Sequence, residues 1–204
     1  MDREKEIYLR IGEQAGVLPY VQMTDIGIEF PYMQRGNLRQ FLDDSANETT
    51  FSVKLRWIKS ALASFAYIHS KGVLQVDINC YNMLVADDLS ILLCDFSGSA
   101  VGGKKTMVYA NTRYEKFEAS RTVPVSIATE IFAIGSLMYE ILTGTRPYDD
   151  RTDEEVESLF MRGVFPDVTD LQFGSVIEKS WKGDFKSAAE ILDAVVAAEK
   201  SEEL

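Results

Sequence analysis

The sequence predicts an α+β fold, with short strands concentrated in the first half of the chain and long helices dominating the second. Three observations carry this reading. Residues 52–70 and 123–143 place apolar side chains at helical spacing over long stretches. Short apolar runs bounded by turn residues, at 17–23, 26–32, 82–85 and 90–94, read as strands. Between them, the stretch Gly72 to Ser99 sets three oxygen-bearing side chains, Asp77, Asn82 and Asp95, at the ends of neighbouring strands.

Taken in order, residues 3–11 form a helix with Ile7, Leu9 and Ile11 as apolar positions, ended by the Gly12 to Gly16 region. The strands 17–23 and 26–32 are joined by a Thr24-Asp25 turn. In the helix 52–70, Leu55, Ile58, Leu62 and Phe65 face the core, Gly72 lies just beyond its end, and Trp57 and Tyr67 serve packing. His69, near that end, reads as a helix cap. Val73 and Leu74 then deliver Asp77 into a polar loop, and the runs NMLV and SILLC make a hairpin that leads into Asp95. Residues 98–118, with GG, KK and several hydroxyls, read as a mobile loop. The helix 123–143 shows a wide apolar face through Ile131, Ile134, Leu137, Met138, Ile141 and Leu142. Thr152 and Glu155 form a capping box for a helix that stops at Gly163, and two more helices follow at 175–181 and 187–200. With no repeats and no dividing linker, residues 1–204 are expected to be a single domain.

Composition narrows the function classes. With 46% hydrophobic residues the chain has the makings of a packed core. A net charge of −11 opposes binding to a phosphate backbone, which needs clustered Lys and Arg, so nucleic acid is not an expected partner. Cys80 and Cys94 form no CxxC, and His69 is the only histidine, so neither a Cys/His zinc site nor a histidine triad can be assembled. The start MDREKE has no apolar signal region, and no apolar run approaches ~18 residues. A soluble cytoplasmic or nuclear protein without membrane contact is the expectation. Hard divalent cations prefer carboxylate and carbonyl oxygens, so Asn82 and Asp95 can share a magnesium ion while Asp77 stays free to orient a hydroxyl.

The spacing D-x-x-x-x-N followed by D-F, with a hairpin between, resembles the catalytic loop and Asp-Phe-Gly element of eukaryotic-type protein kinases. Other stretches agree with that family. FPYMQRGNLRQFL is similar to its hinge, and TEIFAIGSLMYEILTGTRPYDD to its central large-lobe helix, with Glu130 in the place of an anchoring aspartate. The resemblance implies a mainly helical large lobe, 34–204, beneath a remnant small lobe and hinge, 1–33, that begins at the helix before the family's fourth strand. It implies ATP and Mg²⁺ as cofactors, Asp77 as catalytic base, and Asn82 and Asp95 as metal ligands. It further places Glu4, or Glu6 as its alternative, at the glutamate that pairs with the ATP lysine, and Phe30 at the gatekeeper. The carbonyl of Pro31 and the amide of Met33 would then meet the adenine edge.

Several positions depart from the family pattern. The glycine-rich loop and its lysine have no counterpart. Gln75-Val76 stand for His-Arg, Asn79 for the lysine after the catalytic aspartate, and Ser97 for the glycine after Asp-Phe. The closing Ala-Pro-Glu is Lys116, Phe117 and Glu118, whose usual arginine partner is absent, leaving Lys182 or Lys186 as substitutes. Without an arginine at Val76, loop phosphorylation is not the expected switch. The resulting expectation is weak phosphoryl transfer to protein hydroxyls. The alternative is a non-catalytic pseudokinase that uses its large lobe and an exposed sheet edge as a protein-interaction scaffold.

Overall fold

The computed structural model describes residues 2–44, 46–47, 49–102, 106, 110–118 and 123–202. Seven helices and six short strands are described among them: α1 (Asp2–Ile11), β1 (Gln22–Thr24), β2 (Gly27–Glu29), α2 (Leu38–Asp43), α3 (Phe51–Ser70), β3 (Val73–Leu74), β4 (Met83–Val85), β5 (Ile91–Leu93), β6 (Ala100–Val101), α4 (Ile127–Thr143), α5 (Asp153–Met161), α6 (Gly174–Lys182) and α7 (Ala188–Glu202). The strands pair as three antiparallel two-stranded units, β1 with β2, β3 with β6, and β4 with β5.

The helices begin where side chains can satisfy their unpaired N–H groups. Thr50 caps α3 by accepting from Val53 N, and Asn37, Ser126 and Thr152 build reciprocal capping boxes on α2, α4 and α5. Helix α4 therefore starts at Ile127, four residues later than its apolar pattern suggests, because Pro124 precedes the Ser126 cap. It is the centre of the helical part, with Ile131, Phe132, Ile134, Leu137, Met138 and Ile141 all buried. Gly135 lets α4 and α6 approach closely, since a Cβ there would lie 2.9 Å from the Ser180 Cβ. Beside it the Trp181 indole donates to Ser136 Oγ at 3.0 Å.

In the N-terminal part the strands are shorter than expected. Only Gln22–Thr24 and Gly27–Glu29 pair, around the turn at Asp25. Val17 instead makes a parallel bridge to Leu93, with Leu18 N donating to Leu93 O at 2.9 Å and Leu93 N to Gly16 O at 2.8 Å. Tertiary pairing to β5 wins over local extension, and it ties the segment after α1 to the residue just before Cys94 and Asp95. Trp57 and Tyr67 pack as expected, their polar tips donating to Leu89 O and Ile11 O.

Further expectations are corrected. His69 does not cap α3: its Nε2 lies 2.5 Å from Glu130 Oε2 and the pair is buried. Glu118 pairs with Lys116 at 3.4 Å, while Lys182 reaches Glu178, so Lys182 does not replace the family arginine. The stretch expected to be a mobile loop contains β6 and a 3₁₀ turn at Thr112–Tyr114. Residues 103–105 and 107–109 of it lie outside the described residues.

Candidate active site

Asp77 sits on the polar turn that follows β3, and the chain reaches it through a strained step. Val76 is β-branched yet adopts φ +72°, a left-handed conformation that such residues rarely take. Its N–H donates to Glu130 Oε1 at 2.6 Å, and the other Glu130 oxygen meets His69. A buried glutamate from α4 thus holds the backbone next to Asp77, in the place where the resemblance expected an aspartate.

The 3₁₀ turn Cys80–Asn82 then folds Asn82 back onto Asp77. Asn82 Nδ2 donates to Asp77 Oδ2 at 2.9 Å and to its carbonyl oxygen at 2.7 Å. Asn79 accepts from Tyr81 N and Asn82 N, which caps the turn, and donates its Nδ2 to Asp77 Oδ1 at 2.7 Å. Both Asp77 oxygens are therefore fixed by amide donors. Burial holds the Asp77 carboxyl above the usual aspartate range, these two hydrogen bonds pull it down, and the charge of Asp95 adds to the upward push.

Asp95 follows β5 in a left-handed conformation, φ +56°, with its carboxylate exposed. Its Oδ1 accepts from Ser97 N at 3.2 Å and from Ser97 Oγ at 2.6 Å. The Glu4 carboxyl on α1 is raised by burial first and by the charge of Asp95 second, with the nearby Phe96 backbone pulling it down. Asp95 thus lies within electrostatic reach of both Asp77 and Glu4, and Asn82 is bonded to Asp77. Beneath it, Tyr8 packs edge-on against Phe96 with centroids 5.2 Å apart.

The hinge residues form a separate, adjoining surface. Phe30, Pro31, Met33, Gly36, Asn37 and Leu84 line an open groove of about 640 Å³, within the range of small-molecule pockets. Leu84 belongs to β4, two residues after Asn82 in the chain. Phe30 also packs on Tyr8 at 5.2 Å. Sequence reasoning missed Leu84 and Tyr8, since an apolar position on a short strand and an aromatic on a helix carry no chemical signature.

A buried knot secures the region below. Glu140 of α4 takes Arg39 Nη1 at 2.7 Å and the Tyr114 hydroxyl. Arg39 also meets Asp43 and the Gly144 carbonyl. These contacts lock α2 and the turn Thr112–Tyr114 onto the helical part.

Comparison with known proteins points the same way. The family described as protein tyrosine and serine/threonine kinase matches residues 13–193. The chain belongs to that family. It is 25% identical over 158 residues to the RGS domain-containing serine/threonine-protein kinase A of Dictyostelium discoideum, covering 74% of this chain and 14% of that protein. It is 28% identical over 195 residues to a "probable serine/threonine-protein kinase" of Clostridium acetobutylicum, covering 85% of this chain and 30% of that one. A tyrosine-protein kinase of Girardia tigrina is 26% identical over 162 residues, covering 76% of this chain and 33% of that protein. The chain therefore spans a third or less of the length of these relatives. Glu4 lies outside the matched residues, so its assignment rests on its place beside Asp95 and Phe96.

Among the described residues, no helix is long and apolar enough to cross a membrane. Also among them, no three His, Cys, Asp or Glu side chains form a metal cage. Magnesium does not need one. It is commonly bound through one or two carboxylates with waters and substrate phosphates. The donor set fits: Asp95 offers a carboxylate, Asn82 an amide oxygen, and the charges of Glu4, Asp77 and Asp95 call for a cation.

Proposed function

We propose that this kinase domain binds Mg-ATP and transfers the γ-phosphoryl group to a protein hydroxyl, slowly. The observation that supports this best is the joint placement of Asp77, Asn82 and Asp95, with Asn82 hydrogen-bonded to Asp77 and Asp95 close enough to push up its carboxyl. In this reading Asn82 and Asp95 hold the magnesium, which when bound neutralises phosphate charge. Adenine occupies the groove of Phe30, Pro31, Met33 and Leu84, its edge meeting the Pro31 carbonyl and the Met33 amide. Asp77 orients the acceptor hydroxyl. As the oxygen bonds to the γ-phosphorus and the bond to the bridging oxygen of ADP breaks, Asp77 takes the hydroxyl proton.

Slowness has a local cause. Asn79 stands where many family members that modify Ser or Thr carry a lysine, and its amide is engaged by Asp77. Losing one preorganised donor to a charged transition state typically costs about 10²–10³ in rate.

The test is transfer of radiolabelled γ-phosphate from ATP to a mixed protein acceptor by the native chain and by Asp77→Asn. The catalytic reading predicts a loss of about 10²–10⁴ in the variant. Equal transfer by both proteins would remove Asp77 from the reaction.

A further inference from the structure

We propose that Gln75 and Ser99 act together as positioning residues, a buried polar clasp that closes segment 94–99 and holds Asp95 toward Asp77. The proposal rests on the Mg-ATP reading for its functional consequence, though not for its structural one. Gln75 and Ser99 are 1% and 0% exposed. The Gln75 side-chain amide donates from Nε2 to Cys94 O at 3.0 Å and to Asp95 O at 2.8 Å. Its oxygen Oε1 lies 3.3 Å from Ser99 Oγ, and the Gln75 carbonyl oxygen lies 3.1 Å from the same hydroxyl, which donates to the pair.

One side chain therefore grips both ends of the segment that carries Asp95. The register of β3 with β6, Leu74 opposite Ala100, is what sets Ser99 beside Gln75. Inside the segment, Ser99 N closes a turn onto Phe96 O at 3.2 Å. Asp95 itself sits at φ +56°, a left-handed conformation that aspartate adopts more readily than most residues, and the grip fixes the backbone carbonyls of the turn around it. A buried amide with neither donor nor acceptor idle is also a specific arrangement, since any shift of the segment leaves polar atoms unpaired away from water. The amide does not titrate, so the grip is independent of pH over the range in which the protein is folded. Gln75 is thus a working replacement for the family's histidine, and the replacement recruits Ser99.

The test uses the full chain with Ser99→Ala, Gln75→Leu and Gln75→His. Hydrogen exchange is followed at residues 94–101 and in α4 and α6, and ATP binding is titrated with and without Mg²⁺. In Ser99→Ala and Gln75→Leu, exchange at 94–101 is expected to rise about tenfold or more while α4 and α6 stay unchanged. The Mg²⁺-dependent gain in ATP affinity is expected to fall about tenfold, with metal-free binding unaltered. Gln75→His, which restores one ring donor, is expected to recover part of both losses. Exchange at 94–101 that is unchanged, or that rises equally throughout the molecule, overturns the clasp. A native chain that does not bind Mg-ATP overturns the functional reading instead, and the exchange pattern still decides the clasp. Should Gln75→Leu fail to fold, Ser99→Ala, which removes only one hydroxyl, decides between these outcomes.

Discussion

Asn79 donates its side-chain amide to Asp77 at 2.7 Å, so the residue standing in a lysine's place is engaged with the carboxylate proposed as the base. That contact has a pH signature. The Asp77 carboxyl is raised by burial and lowered by its bonds from Asn82 and Asn79. In the proposed reaction transfer requires the ionised form, so its rate is expected to fall as pH drops through the raised value. Asn79→Leu removes one lowering bond and shifts the acid limb of the rate profile to higher pH. A limb that stays in place or moves lower would show that Asn79 does not tune Asp77.

Asp95 pushes up the carboxyls of both Asp77 and Glu4. Repulsion from Asp95 works against the ligand-free fold. Asp95→Asn relieves it, and asparagine tolerates φ +56° well. The variant is expected to melt up to about 3 °C higher than the native chain at pH 7 without ligand. The sign with pH follows from the raised values: the folded state loses stability as pH climbs through them, so the variant's advantage shrinks in acid. A lower melting temperature for the variant at pH 7 would contradict this.

Glu130 is buried and serves two partners, Val76 N and His69 Nε2. Glu130→Ala leaves both without an acceptor and is expected to cost about 2–4 kcal/mol in denaturant unfolding. Glu130→Gln keeps an oxygen for Val76 and is expected to cost less. Equal losses in the two variants would mean that cavity formation, not hydrogen bonding, sets the penalty.

Tyr8 presents the opposite case. Its hydroxyl is buried with no hydrogen-bond partner among the described residues, while its ring contacts Tyr20, Phe30 and Phe96. Tyr8→Phe keeps those contacts and removes an unsatisfied group, so stability is expected to rise by about 1 kcal/mol. A loss in equilibrium unfolding would reveal a partner for the hydroxyl.

The helices are legible in the sequence because apolar spacing and caps are local signals; Thr152 and Glu155 announce α5, and Leu55 to Phe65 announce the buried face of α3. The hairpin of β4 and β5 is legible from two short apolar runs. The strand 17–23 is not, since the pairing of Val17 with Leu93 depends on a partner far along the chain. Asp77, Asn82 and Asp95 stand out by chemistry and spacing. The groups that hold them do not. Gln75 reads as a missing histidine, Asn79 as a missing lysine and His69 as a cap, because a buried hydrogen bond to a distant backbone atom leaves no mark on residue type.

The central claim, a metal-dependent nucleotide site at Asn82 and Asp95, is tested most directly by melting curves. They are taken with ATP, with Mg²⁺, and with both, on the native chain and on Asp95→Asn. Ligand at about 100 times its Kd stabilises by ~2.7 kcal/mol, which for a domain of this size raises the melting temperature by roughly 5–11 °C. That shift is predicted for the native chain with ATP and Mg²⁺ together, and its loss is predicted in Asp95→Asn. No shift at ~10 mM nucleotide in the folded native chain, or a shift of the same size in the variant, would contradict the claim.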